Sequence, residues 1–426
     1  MLFTILLFFF LILIFFGLEI FYALAISSTI FIVINLGLDN LIIVPQRMVA
    51  SLGGNVLLSI PLFILAGQFM NAGGITEVLV KFAKALVGHI PGGLSYVAII
   101  TNVIMSGVSG SSLADASATG IILIPSMKKD GYPSPYAAAV IGAGAIIGPI
   151  IPPSIIMIIY GSQAEVSIAR LFIGGVIPGL FMGFFAFLVC LYKAKKYRYP
   201  KSLKVNFIGI LKAFKDSFLV LMMPVVILGC LVTGIVSAAE TAVIAVTYAF
   251  LLGTFVYRKL RIKDIPELLF EVGRLTSVIM IIVASSGIYS YIIADQRAGY
   301  YIMNLLLSVG NDTVILLLIL FFLLILGMFI SPIPAIIILT PIFLPLIHNF
   351  GIDPVFFGVF LVITLMIGAL TPPVGATLYL VAGLSEDSIY EVTKELLPFI
   401  CIYILLVIII IFIPSLVTFL PKYLMG

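Results

Sequence analysis

Charged residues are scarce in this chain. Lys, Arg, Asp and Glu make up 9% of its 426 residues, whereas a soluble domain has about 25%. Hydrophobic residues make up 63% of the chain. This balance excludes an ordinary soluble enzyme, a nucleic-acid-binding protein and a disordered protein. A membrane-spanning helix needs about 20 apolar residues, so the chain has room for roughly a dozen such segments and their short connections.

Side chains that carry out chemistry are also rare. The sequence has two His, three Cys and no Trp. Cys190, Cys230 and Cys401 lie in separate apolar runs, without the spacing of a metal site or a redox pair. The sequence has no HExxH or GxGD motif and no His and Asp placed to activate a nucleophile. We therefore predict that the protein is not an enzyme.

The positions of Lys and Arg predict which loops face the cytoplasm, because these residues favour that side of the membrane. The densest basic runs are 193–215 and 258–274, and the loop at 127–131 holds two lysines. We expect all three on the cytoplasmic side. The polar break at 310–312 lies in a stretch without Lys or Arg, and we expect it outside.

Two apolar segments have a broken centre. The first reads SGVSGSSLADASATG at 106–120, which is rich in Ser and Gly, and the second reads GMFISPIP at 327–334. We predict a re-entrant helical hairpin at about 93–126 and a second one at about 313–348, which enters from the opposite face. Irregular backbone at that depth is tolerated only where protein buries it or a cavity adjoins it.

Each hairpin precedes a span that contains two consecutive prolines. GPIIPPSIIMIIYG at 148–161 and GALTPPVGATLYLVAG at 368–383 share the pattern Gly-x3-Pro-Pro. Proline removes a backbone donor and clashes with the carbonyl one turn earlier. The prolines therefore predict that the spans 135–161 and 354–383 unwind near their middle and leave backbone carbonyls free.

The two halves of the chain repeat the same kinds of elements. Residues 1–192 and 216–426 each contain scaffold spans, a hairpin, a broken span and a closing span, and the basic run 193–215 links them in the cytoplasm. Amphipathic connectors are predicted at 73–92 and 258–274. The loop predictions give the halves opposite orientations, and such an inverted-topology repeat is typical of secondary transporters. The predicted fold is an all-α polytopic membrane protein with two hairpins and two interrupted helices.

The matched breaks predict two cation sites that flank one substrate site. Hard cations take oxygen ligands from carbonyl and hydroxyl groups, and the helix ends at the hairpin tips add partial charges. The candidate ligands of the first cation site are Ser106, Gly107, Ser109, Gly148, Ile151 and Pro153. The candidate ligands of the second cation site are Gly327, Ser331, Gly368, Thr371 and Val374. The candidate substrate residues are Ser111, Ser112, Asp115, Ser154 and Pro372.

Alternatives stay open for these residues. Ser and Gly clusters also occur where membrane helices pack closely without any ligand. Asp115 lies in apolar surroundings, and intramembrane acids are candidate functional residues. It can cap the helix after the first tip, stay protonated or couple to the ions. No arginine clamp for an anion lies in the broken core, so the sequence does not identify the substrate.

The motifs along nearly the whole chain resemble those of the large membrane subunit of tripartite ATP-independent periplasmic (TRAP) transporters. The resemblance rests on the hairpin and Pro-Pro motifs given above and on further stretches. These include PLFILAGQFMNAGGIT at 61–76, IPSMKKDGY at 124–132, SIARLFIGGVIPGL at 167–180, TPIFLPL at 340–346 and DPVFFGV at 353–359. Each stretch alone is weak, but together they are specific.

The resemblance implies an elevator-type symporter of the bacterial inner membrane. In such a transporter a core of hairpins and broken spans moves against a fixed scaffold, and Na+ is the coupling ion. The resemblance also implies a small four-helix membrane subunit as a separate chain and a soluble periplasmic binding protein that delivers substrate. Substrates in this family are organic acids such as sialic acids, C4-dicarboxylates and other carboxylates.

The second hairpin departs from the family pattern. Where the family usually has Asp after GxFx, this chain has Ser331 followed by Pro332. The second cation site therefore lacks an anionic ligand, and we expect it to bind sodium more weakly, to use neutral oxygens only or to be lost. The alternative function is a stand-alone sodium/anion carrier with the same inverted-repeat plan, which transports without a binding protein.

Overall fold

The computed structural model describes residues 2–199, 207–297 and 310–426. Within these ranges the chain is helical and contains no β-strand. Eight of its helical segments are apolar and long enough to cross a membrane. These features confirm the predicted class of an all-α polytopic membrane protein.

The first half of the chain forms ten α-helices. They are α1 (Leu2–Phe15), α2 (Ile20–Leu36), α3 (Ile43–Leu52), α4 (Ser59–Ala72), α5 (Ile75–Val87), α6 (Gly93–Ser109), α7 (Ser112–Lys129), α8 (Ser134–Ala145), α9 (Ile155–Ala164) and α10 (Ile168–Tyr197). The first hairpin consists of α6 and α7. The first interrupted helix consists of α8 and α9, with an irregular segment between them.

The described part of the second half forms nine α-helices. They are α11 (Phe207–Thr233), α12 (Ala238–Leu251), α13 (Ile265–Asp295), α14 (Asp312–Phe329), α15 (Pro332–Asn349), α16 (Pro354–Gly368), α17 (Ala376–Ser385), α18 (Ile389–Phe412) and α19 (Ser415–Met425). The second hairpin consists of α14 and α15, and the second interrupted helix consists of α16 and α17. The helix therefore breaks around both Pro-Pro pairs, as the prolines predict.

Serine side chains set where two helices of the first half begin. Ser111 precedes α7, and its Oγ accepts a hydrogen bond from the Ala114 N–H at 3.4 Å. Ser154 precedes α9, and its Oγ accepts a hydrogen bond from the Met157 N–H at 3.1 Å. Serine at this position satisfies one of the free N–H groups of a first helical turn. The hairpin tip and the unwound segment thus both end at a capping serine.

The hairpins and the interrupted helices pack against one another in a reciprocal pattern. α6 and α7 contact α8, and α14 contacts α16. α7 also packs against α17, which is the second part of the other interrupted helix, and α15 packs against α9 in the corresponding way. Each hairpin thus joins parts of both interrupted helices. We call the two hairpins and the two interrupted helices the core. α10 and α18 pack against the outside of the core.

The other long helices pack beside the core. α13 contacts α2, α3 and α4, and α4 packs against α12. We call the group of α2, α3, α4, α11, α12 and α13 the scaffold. α5 lies between the two groups, because it contacts α6 of the core and α11 of the scaffold. Its buried side includes Leu79 and Ala83, whereas Glu77 and Lys81 are exposed, as expected for an amphipathic connector.

The predicted connector at 258–274 is shorter in the structure. Residues 265–274 are the first turns of α13, which continues as one helix to Asp295. Pro266 lies in the first turn, where the missing N–H of proline removes no helical hydrogen bond. Most of the predicted linker at 193–215 likewise belongs to the ends of α10 and α11, and 200–206 lie outside the described residues.

Candidate transport site

A cavity of about 430 Å³ lies between the two hairpin tips. The first tip contributes residues 110–113 and the second tip contributes residues 331–334. Residues 19–21 and α13 close the wall on the scaffold side. The two interrupted helices contribute Pro149, Ile155, Ile156, Met366, Ala369, Ala376 and Thr377. All four broken elements therefore surround one space.

The first tip is in direct contact with the first interrupted helix. Gly110 has φ +63°, and a Cβ at this position would lie 2.4 Å from the carbonyl oxygen of Pro153. Only glycine tolerates both conditions without strain. Gly148 is packed as tightly, because a Cβ there would lie 2.6 Å from Oδ2 of Asp115. A backbone carbonyl and a carboxylate thus lie at this junction.

Asp115 is fully buried in the first hairpin. Its Oδ1 accepts a hydrogen bond from Ser109 Oγ at 2.5 Å, and its main-chain carbonyl accepts one from Thr119 Oγ1 at 2.6 Å. Its Oδ2 is buried and has no hydrogen-bond partner among the described residues. A buried polar atom without a partner costs about 1–3 kcal/mol, and more if it is charged. An unpartnered carboxylate oxygen is a ligand that suits a bare cation.

The other predicted ligands of the first cation site lie next to this junction. Ser106 Oγ donates to a main-chain carbonyl one turn earlier in α6, at 2.7 Å. Gly107 packs against the scaffold, since a Cβ there would lie 2.4 Å from Cγ of Pro224 and 3.8 Å from the carbonyl oxygen of Pro152. The side chain of Ile151 is buried against α10. Gly107 is therefore a point of close packing between α6 and α11.

The second hairpin touches the second interrupted helix through glycine. A Cβ on Gly368 would lie 2.6 Å from the Cα atom of Gly327. The Val374 N–H donates to the carbonyl of Met328 at 3.1 Å. Thr371 Oγ1 donates to a carbonyl one turn earlier, at 2.9 Å. The structure thus brings Gly327, Gly368 and Val374 together, as the matched motifs of the two halves predict.

The two junctions differ in burial and in charge. Asp115 and Pro153 are buried at the first junction, whereas Val374 is 50% exposed at the second. Ser331 is exposed, lines the central cavity and carries no charge. Asp115, which the sequence analysis placed among the candidate substrate residues, therefore gives the first junction a carboxylate. The candidate ligands of the second junction include no charged side chain.

The predicted substrate residues fall into two groups. Ser111 and Ser112 line the cavity. The Ser154 hydroxyl is buried and bonded, because it caps α9 and donates to the carbonyl of Pro149. Asp115 lies behind the first tip, and the half-buried Pro372 lies outside the described cavity lining.

Glu19 is a cavity residue that the sequence did not reveal. It is the single charged side chain among the described residues that line the cavity. It directly precedes α2, and its carboxylate makes no capping hydrogen bond. The packing of α2 against α13 brings this turn to the hairpin tips, and tertiary packing of that kind cannot be read from a local pattern. The sequence signal for Glu19 is that an acidic residue lies within an apolar segment.

These features define a class: an all-helical, multi-pass membrane transporter in which paired hairpins and interrupted helices enclose a common cavity. Residues 7–416 match the sequence family described as the DctM component of tripartite ATP-independent periplasmic transporters. The chain belongs to this family of large TRAP permeases. The membership confirms the resemblance found in the motifs, and it confirms that the protein is a transporter permease and not an enzyme.

Several curated relatives match over most of their length. The sialic acid TRAP transporter large permease SiaM of Vibrio cholerae is 35% identical over 383 residues, which cover 89% of this chain and 90% of SiaM. The C4-dicarboxylate large permease DctM of Pseudomonas aeruginosa is 33% identical over 369 residues, 86% of each chain. The 2,3-diketo-L-gulonate large permease YiaN of Escherichia coli is 34% identical over 376 residues, 88% of each chain.

A solved structure shares the fold. The YdaH transporter of Alcanivorax borkumensis superposes with a TM-score of 0.62 over 89% of this chain and 89% of its own, at 13% sequence identity. At that identity the similarity is one of fold.

Proposed function

We propose that this chain is the large membrane subunit of a sodium-coupled transporter that takes up an organic acid anion across the bacterial inner membrane. The observation that carries the proposal is the common cavity, because both hairpin tips and both interrupted helices line it. A substrate in this cavity contacts all four elements at once. Movement of the core then moves the substrate with it.

The lining supports an anionic substrate. α7 begins at Ser112 and α15 begins at Pro332, and both beginnings line the cavity. Helix N-termini carry partial positive charge and free N–H groups, which favour anions. The relatives SiaM, DctM and YiaN are named for the transport of sialic acid, C4-dicarboxylates and 2,3-diketo-L-gulonate, and each of these substrates carries a carboxylate. We therefore propose a carboxylate for this chain.

The first junction supports coupling to a cation. Asp115 Oδ2 has no hydrogen-bond partner among the described residues, and the carbonyl of Pro153 faces the glycine at the tip. Ser109 lies within hydrogen-bond distance of the same carboxylate. Carboxylate, carbonyl and hydroxyl oxygens together are ligands for a hard cation such as Na+. The second junction offers neutral oxygens only, so we propose that it binds sodium more weakly.

The arrangement of the helices supports an elevator mechanism. The cavity lies at the boundary between the core, which carries the hairpins, and the scaffold, which contributes α13 and the turn before α2. A transporter that moves its core against a fixed scaffold needs its substrate at this boundary. We propose that a small four-helix membrane subunit extends the scaffold and that a periplasmic binding protein delivers the substrate.

Reconstitution tests the proposal. The chain, its small subunit and its binding protein are placed in proteoliposomes, and uptake of a labelled carboxylate is measured with and without an inward sodium gradient. A thermal-shift screen of the binding protein against N-acetylneuraminate, succinate and 2,3-diketo-L-gulonate first selects the carboxylate. We expect uptake only with sodium, the small subunit and the loaded binding protein.

Two outcomes would contradict the proposal. Uptake that is equally fast with potassium in place of sodium would show that sodium is not the coupling ion. Uptake by this chain without a binding protein would instead support a stand-alone sodium/anion carrier.

A further inference from the structure

A second cavity, of about 600 Å³, shares no lining residue with the first and lies where α5 meets the start of α11 and residues 256–257, which follow α12. Lys81 of α5 and Lys212 and Lys215 of α11 line it, together with Asp216. Phe82 packs against Phe214 with ring centroids 6.2 Å apart, which holds α5 and α11 together beneath the lysines. This region lies outside the transport site.

The cavity carries a net positive charge. Among the described residues that line it, three lysines and one aspartate leave a net charge of +2. The two ion pairs found among the described residues, Lys193–Glu395 and Lys259–Glu77, involve none of these lysines. Glu77 lies one turn before Lys81, but its carboxylate accepts a hydrogen bond from Lys259. That hydrogen bond, together with the charges of Lys259 and Lys81, holds the pKa of Glu77 below its usual value. Glu77 thus makes its hydrogen bond and ion pair with Lys259, and it attracts Lys81 only at longer range.

The cavity changes from charged to apolar along α11. Lys212 and Lys215 lie near the start of the helix, whereas Leu219 lies one turn further on and lines the same cavity with Val256. In the first turns of α11, the side chains of Ile208 and Leu211 are 79% and 62% exposed. A free inorganic anion gains nothing from this apolar surface. A molecule with an anionic head and hydrocarbon chains can place its head beside the lysines and its chains on the apolar residues.

We propose that this cavity binds the headgroup phosphate of an anionic phospholipid, with Lys81, Lys212 and Lys215 around the phosphate and the acyl chains along the apolar side of α11. Tyr257 adds a fixed wall, because its hydroxyl donates to the main-chain carbonyl of Asp216 at 2.8 Å. The lipid then bridges α5, which contacts the core, and α11, which belongs to the scaffold. Its binding stabilises the contact between these helices.

Binding to the full-length purified chain in detergent tests this site. Short-chain phosphatidylglycerol, short-chain phosphatidylcholine and inorganic phosphate are titrated separately, with the thermal unfolding midpoint and native mass spectrometry as readouts. We expect phosphatidylglycerol to bind and to raise the midpoint, whereas phosphatidylcholine and phosphate have little effect. In the triple variant Lys81→Gln, Lys212→Gln and Lys215→Gln, the affinity for phosphatidylglycerol falls at least about tenfold, because each lysine near a membrane surface contributes to the attraction of anionic lipid.

A matched control removes the same charge elsewhere. Lys129→Gln, Lys195→Gln and Lys263→Gln change three exposed lysines that do not line the cavity, and we expect them to keep the affinity. Equal loss in the two triple variants would overturn the proposal, since it would show a general effect of net charge. Equal binding of inorganic phosphate and phosphatidylglycerol would also overturn it, because the apolar side would then contribute nothing.

Discussion

At the scale of single residues, the carboxylate of Asp115 stands out because one of its oxygens is buried without a partner. We predict that Asp115→Asn raises the half-saturating sodium concentration for uptake by about tenfold or more, equivalent to about 1.4 kcal/mol. The amide keeps the shape and the contact with Ser109 but loses the negative charge. Uptake measured over a range of sodium concentrations in proteoliposomes gives this value.

A charge-matched control is Asp39→Asn, because Asp39 is exposed and lies on the short segment after α2. It should leave the sodium dependence unchanged. An unchanged sodium dependence in Asp115→Asn as well would show that Asp115 is a structural or protonated residue, as the sequence also allowed.

Gly110 gives a second test at the same scale. We predict that Gly110→Ala destabilises the chain by about 2 kcal/mol or more, because φ +63° costs an L residue about 1–2 kcal/mol and the new Cβ meets the Pro153 carbonyl. The thermal unfolding midpoint of the purified chain reports the loss. Gly229→Ala in α11 is the control, since a Cβ there meets nothing within 4 Å. An equal unfolding midpoint for both variants would mean that the first tip is not closely packed against the unwound segment.

At the scale of elements, α10 and α18 are joined by a largely buried ion pair between Lys193 and Glu395. Lys193 also lies over the ring of Tyr136, 5.5 Å from its centroid. We predict that Lys193→Met destabilises the chain by about 2 kcal/mol, because a partly buried carboxylate loses its partner. Guanidinium unfolding or a thermal midpoint measures the change.

A double variant completes a double-mutant cycle for this ion pair. Lys193→Met with Glu395→Gln should regain most of the lost stability, because no charge is then left unpaired. The exposed Lys195→Met should change stability by less than about 0.5 kcal/mol. If Lys193→Met were as mild as Lys195→Met, the pair would contribute nothing to holding α10 on α18.

Elements were predictable where a local pattern forces the backbone. Pro-Pro pairs end a helix whatever surrounds them, and a run of Ser and Gly marks a tip, so both hairpins and both breaks could be placed from sequence. The start of α13 at Ile265 could not, because the basic residues at 258–263 directly precede it, and a basic run of that kind also suits a surface connector. Glu19 was missed for a different reason, since only the packing of α2 on α13 brings it to the cavity.

At the scale of the whole molecule, Glu19 faces the hairpin tips from the scaffold side. Its carboxylate repels an anion in the cavity, so we predict that Glu19→Gln lowers the half-saturating substrate concentration several-fold, as expected for about 1 kcal/mol between like charges at contact distance in a wet site. Uptake kinetics with the complete system measure this. Glu271→Gln, an exposed residue of α13, is the control and should have no effect. A higher half-saturating concentration in Glu19→Gln would mean that the Glu19 carboxylate binds the substrate by accepting hydrogen bonds from it.

The reciprocal packing of α7 on α17 and of α15 on α9 has a consequence for the timing of transport. In the sodium-coupled cycle proposed above, an ion that shifts the first tip would also shift α7 against α17, beside the opposite junction. We expect the same in reverse for α15 and α9. Occupancy of one junction would then favour the bound geometry of the other. Such coupling would disfavour passage of a partly loaded core, and with it the loss of an ion gradient without transport.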